Sequence, residues 1–118
     1  MELIRTKVYE KRINKLLTPK EREEAENEIA GDPTVWPVIK GSGGVRKARF
    51  GRDDTGKSGG GRIGYVFWEA FDTLYLVAAY GKNEKENFSK AELNAMKNLV
   101  KTLLRTIRNE KAKPAQSR

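Results

Sequence analysis

The sequence contains no cysteine and no histidine. Without cysteine the chain forms neither disulfides nor a thiolate zinc cluster, and this composition is typical of proteins in a reducing compartment. The absence of histidine removes the commonest metal ligand and the side chain that most often acts as a general base near neutral pH. Any catalysis by this chain would therefore depend on Lys, Arg, Tyr or carboxylate groups.

Long apolar runs are absent as well. No run reaches the roughly 18 residues of a membrane-spanning helix, and residues 1–14 alternate charged with apolar side chains, unlike a secretory signal peptide. At 118 residues the chain is long enough for one domain with a modest core but not for two. We therefore expect a single cytoplasmic domain with no membrane association.

Positive charge, by contrast, is in excess. Lys and Arg number 24 against 16 acidic residues, which gives a net charge of +8 at neutral pH. A small domain this basic commonly meets a polyanion, and nucleic acid is the leading candidate. The alternative is a charge excess that only keeps the chain soluble.

The N-terminal part of the sequence predicts one strand and two helices. Residues 2–8 alternate well enough for a strand, with Leu3 and Val8 as core contacts, and the apolar spacing of 9–17 predicts a short helix. A second helix begins at a capping box, with Thr18 as the N-cap and Glu21 three residues later. It carries a narrow apolar stripe and ends at a Gly-Asp-Pro sequence.

Three consecutive antiparallel strands follow in the middle of the chain. β-branched and aromatic residues between Gly and Asp clusters predict strands over 45–50, 62–69 and 74–80, with a glycine-rich link at 51–61. A last helix begins at a second capping box, at 89–92, and its apolar stripe would cover one face of the sheet. This order predicts an α+β fold with a mainly antiparallel sheet.

The link matches a nucleotide-binding motif. Residues 51–58 fit the phosphate-loop pattern G-x-x-x-x-G-K-S, which binds phosphates only when a strand leads into it and a helix starts at its lysine. Here Gly59, Gly60 and Gly61 follow the lysine, and each glycine costs a helix about 1 kcal/mol relative to alanine. The segment is better interpreted as a mobile hairpin link that carries cations.

Cationic side chains are concentrated on and between the three strands. Because side chains alternate along a strand, Lys47 and Arg49 share one face of the first strand, and Arg46, Ala48 and Phe50 share the other. Strand pairing could gather a set of cations on a single face: Lys47, Arg49, Lys57, Arg62 and Lys82.

Such a set of cations suits phosphate chemistry. Arg offers a planar fork of donors and Lys a compact charge, and a lysine among other cations holds its proton less tightly, so it could act as a base near neutral pH. Tyr65 and Tyr80 add rings on which RNA bases could stack. The alternative is a solvated sheet face on which the cations only space the strands.

Three segments together resemble the RelE superfamily of bacterial toxins. They are KGSGGVRKAR at 40–49, GKSGGGRIGY at 56–65 and YGKNE at 80–84, in the order and at the spacing of that family, and the most similar branch is HigB-type. Two positions depart from the family pattern, Val45 in place of Leu and Gly64 in place of a β-branched or apolar residue. Neither departure is expected to touch a catalytic position.

The resemblance implies a fold and an activity. The fold would be RelE-like over residues 1–109, with two N-terminal helices and one C-terminal helix packed on the sheet and a flexible tail over 110–118. The activity would be that of a ribosome-dependent endoribonuclease that cuts mRNA in the A site and inhibits translation. In that family the ribose 2′-OH attacks the neighbouring phosphate, leaving a 2′,3′-cyclic phosphate and a 5′-OH, with no metal and no cofactor.

The resemblance also assigns roles by position. Lys47 would be the general base, Arg49 would hold the phosphate, and Arg62 would stabilise the charge that builds on the phosphorane. Lys82 lies in the segment that completes the site, where many relatives have Arg. The remaining candidates would bind RNA: Arg46, Lys57, Tyr65, Tyr80 and Asn83.

A protein partner is implied as well. Toxins of this branch are neutralised by an antitoxin, typically a helix-turn-helix protein of the HigA type, and the complex represses its own operon, so operator DNA would be contacted only through the antitoxin. The residues themselves leave two alternatives open. One is a non-catalytic RNA-binding module that uses the same basic sheet, and the other is a protein whose sheet only docks another protein.

Overall fold

Four strands and three helices form the part of the chain that the computed structural model describes, residues 1–52, 60–84 and 87–112. In chain order they are β1 (Glu2–Arg5), α1 (Lys7–Leu16), α2 (Pro19–Gly31), β2 (Arg46–Arg52), β3 (Gly60–Trp68), β4 (Thr73–Gly81) and α3 (Lys90–Ala112). The predicted α+β fold, with two N-terminal helices, three consecutive strands and one C-terminal helix, is confirmed.

The sheet is mixed, and its strand order is β1-β4-β3-β2. β2 pairs with β3 and β3 with β4 in antiparallel fashion, which is the predicted three-strand unit. β1 pairs with β4 in parallel, an arrangement that requires a long connection between the two strands. β4 is therefore a central strand, with β1 on one side and β3 on the other.

The first strand is shorter than the sequence pattern predicts. β1 ends at Arg5 because Thr6 caps α1, and the Thr6 Oγ1 accepts a hydrogen bond from the Tyr9 N–H at 3.2 Å. Val8 consequently lies on α1 with 65% of its surface exposed, so the predicted core contact at Val8 is wrong. Leu3 packs against the core as expected.

α2 begins as the sequence predicts. Thr18 Oγ1 accepts a hydrogen bond from the Glu21 N–H at 3.2 Å, and Glu21 Oε1 accepts one from the Thr18 N–H at 2.9 Å. This reciprocal pair is a capping box, which satisfies backbone donors that the helix itself leaves without partners. Ala25 and Ile29 form the narrow buried stripe of α2.

One carboxylate of α2 is buried, which no sequence pattern indicated. Glu26 is 4% exposed and accepts hydrogen bonds from Arg5 at 2.6 Å, from the Tyr9 hydroxyl at 2.7 Å and from Arg22 at 3.1 Å. Burial by itself would raise the pKa of Glu26, but these hydrogen bonds outweigh it and hold the pKa below its usual range. The network joins β1, α1 and α2.

The two faces of the sheet are covered by different helices. α1 and α2 pack on the first, the helix-pair face, which the strands line with Ala48, Phe50, Ile63, Tyr65, Leu74, Leu76 and Ala79. α3 packs on the second, the α3 face, which the strands line with Val66, Tyr75 and Val77. The predicted apolar stripe of α3 is confirmed, except that Leu99 is 39% exposed.

A tight loop at 40–44 leads into β2 and packs against α3. Gly43 has a φ of +84°, and a Cβ on it would lie 3.2 Å from the Cα of Lys97, so glycine is required there. The buried Ser42 hydroxyl donates to the Ile39 carbonyl at 2.7 Å and accepts from the Val45 N–H at 2.9 Å. These contacts fix the entry to β2 against the helix.

α3 begins at the predicted capping box, in which Ser89 and Glu92 exchange hydrogen bonds of 2.8 and 3.1 Å. The helix continues to Ala112, past the predicted start of the flexible tail at 110, and residues 113–118 of that tail lie outside the described residues. Within the described ranges, no helix combines the length and the apolarity needed to cross a membrane.

We predict that Glu26 makes the stability of the fold sensitive to acid. Because its folded pKa lies below the unfolded value of about 4.3, its contribution is present above that value and is lost as the pH falls through the folded pKa. In urea unfolding, Glu26→Gln should cost about 3 kcal/mol near pH 7. It should also flatten the dependence of the unfolding free energy on pH between about pH 5 and pH 3.

The matched control is Glu24→Gln, one of the exposed positions of α2. This variant should unfold like the wild type at both ends of that pH range. A Glu26→Gln protein whose unfolding free energy changes with pH as steeply as that of the wild type would contradict the prediction.

Candidate functional site

A row of three side chains crosses one end of the α3 face. Arg49 on β2 lies opposite Arg62 on β3, and Arg62 lies opposite Tyr80 on β4. Two like charges directly opposite each other destabilise a sheet by up to about 1 kcal/mol, and within the described ranges no carboxylate forms an ion pair with either arginine. This arrangement favours an anion bound between the two guanidinium groups.

Lys47 stands beside this row on the same face, two residues before Arg49. Its neighbours across the sheet are Gly64 and Ala78, two small residues that leave an open surface next to the lysine. Lys47 also lines a hollow of about 220 Å³, together with Ile39, Lys40, Asn87, Phe88 and Leu93. The predicted alternation is confirmed, since Ala48 and Phe50 are buried on the helix-pair face.

The two departures from the family pattern, Val45 and Gly64, lie next to each other at this open surface. Gly64 pairs directly with Lys47, and a Cβ on Gly64 would lie 3.3 Å from Val45 Cγ1 and 3.3 Å from the Ala78 Cβ. The expectation that neither departure touches a proposed catalytic position is therefore wrong for Gly64. A β-branched side chain at 64 would crowd Val45 and Ala78 and cover the open surface beside Lys47.

Tyr80 supplies a neutral hydroxyl group at the end of the row. The residue is 9% exposed, and its ring meets the Phe88 ring edge to face, with centroids 5.4 Å apart. Burial raises the pKa of Tyr80, and the nearby Arg62 charge opposes this shift without cancelling it. The phenol therefore keeps its proton at neutral pH and is available as a hydrogen-bond donor.

The turn after β4 carries Lys82 and Asn83, and both side chains are exposed. Glu84 closes the turn, because its carboxylate accepts a hydrogen bond from the Gly81 N–H at 2.7 Å and pairs with Arg12 of α1. Arg12 also donates through Nε to the Ala79 carbonyl at 3.2 Å. The hydrogen bond from the Gly81 backbone, followed by the contact with Arg12, lowers the pKa of Glu84.

Sequence reasoning missed this connection between α1 and the site. Glu84 ends the YGKNE segment, so the sequence pattern singles out Glu84, but the pattern does not indicate that Arg12 is its partner. Arg12 lies 72 residues away from Glu84 along the chain, and its pattern on α1 is that of any exposed helix cation. The contact places the turn with Lys82 and Asn83 at a fixed position beside the end of β4.

Two predicted RNA contacts are not brought to this end of the sheet. Tyr65 is fully buried on the helix-pair face, its hydroxyl donates to the Pro33 carbonyl at 2.8 Å, and burial raises its pKa to about 12. Arg46 donates to the Thr34 and Trp36 carbonyls at 3.0 and 2.6 Å. Both side chains hold the connection after α2, and Tyr65 has no open ring face for a base.

Lys57 and most of the phosphate-loop match, residues 53–58, lie outside the described residues. The structure thus gathers Lys47, Arg49, Arg62 and Tyr80 on one face, with Lys82 and Asn83 on the adjoining turn. Of the Asp and Glu side chains in the described ranges, no three come together in a way that could hold a metal ion. What the site offers is a concentration of fixed positive charge beside a neutral phenol, an arrangement that suits a phosphate group.

A comparison with known families agrees with this chemistry. Residues 39–116 match the family model described as the RelE toxin of the RelE/RelB toxin–antitoxin system. The match covers well over half of the chain and includes Lys47, Arg49, Arg62 and Lys82. The chain therefore belongs to the RelE toxin family, the toxins of a toxin–antitoxin system.

Proposed function

We propose that this toxin is a ribosome-dependent endoribonuclease of the HigB-type branch, which acts in the cytoplasm and cuts mRNA in the ribosomal A site. The observation that carries the proposal is the Arg49–Arg62 pair, placed in one row with Tyr80 and beside Lys47 on the α3 face. Two arginines opposite each other destabilise a sheet when nothing is bound between them. The same pair is suited to a phosphate that gains negative charge during a reaction.

The reaction needs few protein groups, because the nucleophile belongs to the substrate. The ribose 2′-OH attacks the adjacent phosphorus, the bond from phosphorus to the 5′-oxygen breaks, and the products are a 2′,3′-cyclic phosphate and a 5′-OH. Lys47 would take the proton from the 2′-OH, and Arg49 and Arg62 would bind the phosphate oxygens as charge develops on them. Tyr80, whose pKa burial raises further above neutral, would donate toward the leaving oxygen.

The turn after β4 would contribute RNA contacts next to the row of Arg49, Arg62 and Tyr80. Lys82 and Asn83 are exposed beside the end of β4, and the Glu84 contacts with Gly81 and Arg12 hold their backbone in place. In this proposal the two side chains bind the phosphates that flank the one being cut. Pre-organised contacts of this kind lower the barrier by orienting the substrate.

Dependence on the ribosome fits the shape of the site. Arg49, Lys82 and Asn83 are exposed, and the hollow beside Lys47 holds only about 220 Å³, so the residues that the structure describes here do not enclose a strand of RNA. A nucleophile and a phosphate must be aligned for in-line attack, and this alignment accounts for a large share of the barrier. The ribosome would supply it by holding mRNA in the A site.

The family membership implies an antitoxin as the partner that neutralises this chain. We propose that the antitoxin is a helix-turn-helix protein of the HigA type, and that the toxin reaches operator DNA only through it. A non-catalytic RNA-binding module is the alternative to the enzyme, because the same row of cations would bind phosphates without cutting them.

Arg62→Ala should lower cleavage by roughly 10²- to 10³-fold, the typical cost of removing one transition-state donor. The measurement is induced expression in bacteria followed by mapping of mRNA 5′ ends. Wild type should arrest growth and give new, codon-phased ends, and the variant should give neither. Lys11→Ala, which removes an exposed cation from α1, is the control and should act like the wild type.

Full activity of a folded Arg62→Ala protein would show that the site is placed wrongly. Normal growth and unaltered mRNA with abundant, folded wild type would instead favour the RNA-binding module.

Substitutions at Lys47 separate a base from a simple charge. Lys47→Arg keeps the positive charge but removes a group that can lose its proton in a protein, whereas Lys47→Met removes both. If Lys47 is the base, each variant should lose about 10²- to 10⁴-fold in cleavage rate on programmed ribosomes. Retention of most activity by Lys47→Arg, but not by Lys47→Met, would contradict the role of base.

A further inference from the structure

The outer surface of α3 carries a line of four cations. Lys97, Lys101, Arg105 and Arg108 follow one another at spacings of four, four and three residues, so they share one side of the helix. All four are exposed. At a rise of about 1.5 Å per residue, this set, here named the α3 basic stripe, extends over roughly 16 Å.

Charge is distributed unevenly around the helix. The two acidic residues of α3, Glu92 and Glu110, are 18 residues apart, which is five full turns, so they lie above one another on the opposite side. Asn94, Asn98 and Asn109 border the stripe on its outer side. The stripe is therefore a continuous positive surface and not part of an alternating pattern of surface charges.

Three arginines elsewhere in the fold have carboxylate partners. Arg5, Arg12 and Arg22 each pair with a glutamate. In the described part of the chain, by contrast, no member of the stripe forms an ion pair or a side-chain hydrogen bond. Like charges at i, i+4 weaken a helix, and the helix dipole favours cations only in the last turn. Helix stability alone does not account for Lys97 and Lys101.

The surroundings of the stripe favour RNA over a protein as its partner. Protein interfaces are built around apolar or aromatic anchors in a desolvated centre. On the described part of α3, the large apolar side chain that is exposed, Leu99, projects from the far side of the helix, half a turn away from the stripe. Leu104, which borders the stripe, packs against the core beneath it. A line of exposed cations bordered by amides matches the regularly spaced charges of a nucleic acid backbone.

The stripe also begins close to the candidate site. The loop at 40–44 packs against Lys97 through Gly43, and Lys40 of the same loop lines the hollow next to Lys47. Positive charge therefore continues from the row of arginines across the loop and along α3.

We propose that the α3 basic stripe is a second RNA-binding surface, which binds the phosphate backbone of double-stranded RNA. It is distinct from the row of Arg49, Arg62 and Tyr80, and its binding does not depend on cleavage at that row. It would dock the toxin on folded RNA while the single-stranded substrate occupies the site.

The test measures binding of the full-length protein to a fluorescent RNA duplex of about 16 base pairs, by anisotropy at salt concentrations between about 50 and 200 mM. The stripe variant combines Lys97→Gln, Lys101→Gln and Arg105→Gln. The matched control combines Lys11→Gln, Lys15→Gln and Lys20→Gln, which removes the same charge from exposed positions of α1 and α2.

The stripe variant should bind about tenfold more weakly than the wild type. Its plot of log affinity against log salt should be less steep by about 2 to 3, since each duplex phosphate contact contributes about 0.9 to the steepness. The control should stay within about twofold of the wild type. A further variant with Lys97→Arg and Lys101→Arg keeps the charge and should bind the duplex as tightly as the wild type, provided that circular dichroism shows the helices intact.

Several results would overturn the proposal. These are no duplex binding by the wild type, an equal loss in the stripe variant and the control, or a stripe that is needed for binding polyaspartate but not RNA. Arg62→Ala should keep its duplex binding. A protein that binds duplex through the stripe yet never cuts mRNA would refute the proposed function alone, and a protein that cuts mRNA but whose duplex binding is unchanged in the stripe variant would refute this proposal alone.

Discussion

The register between β2, β3 and β4 is the constraint on which both the core and the candidate site depend. It places Arg49, Arg62 and Tyr80 in one row on the α3 face, while Ala48, Ile63 and Ala79 fill the helix-pair face beneath. A shift of one residue would exchange the faces, because side chains alternate with a period of two. The cations would then be buried under α1 and α2, so the packing that folds the protein also fixes its chemistry.

The N-terminal helices support the site from behind the sheet. The buried Glu26 network joins α1 and α2 to β1, and β1 in turn pairs with β4, the strand that carries Tyr80 and leads into Lys82. From the same α1, Arg12 reaches the Ala79 carbonyl and Glu84. These elements lie before the stretch that matches the RelE family model, yet they position the turn that adjoins the site.

Local signals made much of this structure predictable. The capping boxes at Thr18 and Ser89 and the alternation of β2 carry their own physical cause within a few residues. Val8 was misplaced because Thr6 ended the strand and began a helix inside an alternating segment. The period-two rule, applied to β3, would have placed Tyr65 on the face opposite Arg62. Glu26 depends on Tyr9 and Arg5, which lie 17 and 21 residues away, and Arg12 pairs with Glu84 at a separation of 72 residues. Local sequence patterns do not identify contacts at such separations.

In the proposed reaction, this site directs a ribose 2′-OH at the adjacent phosphate of the same strand. The most direct measurement compares cleavage of mRNA on programmed ribosomes with cleavage of the same mRNA carrying a single 2′-deoxynucleotide on the 5′ side of the cut. We expect the all-ribose message to be cut to a 2′,3′-cyclic phosphate and a 5′-OH, and the deoxy message to bind but stay intact. Equal cleavage of both messages, or products ending in a 5′-phosphate, would contradict the proposed reaction.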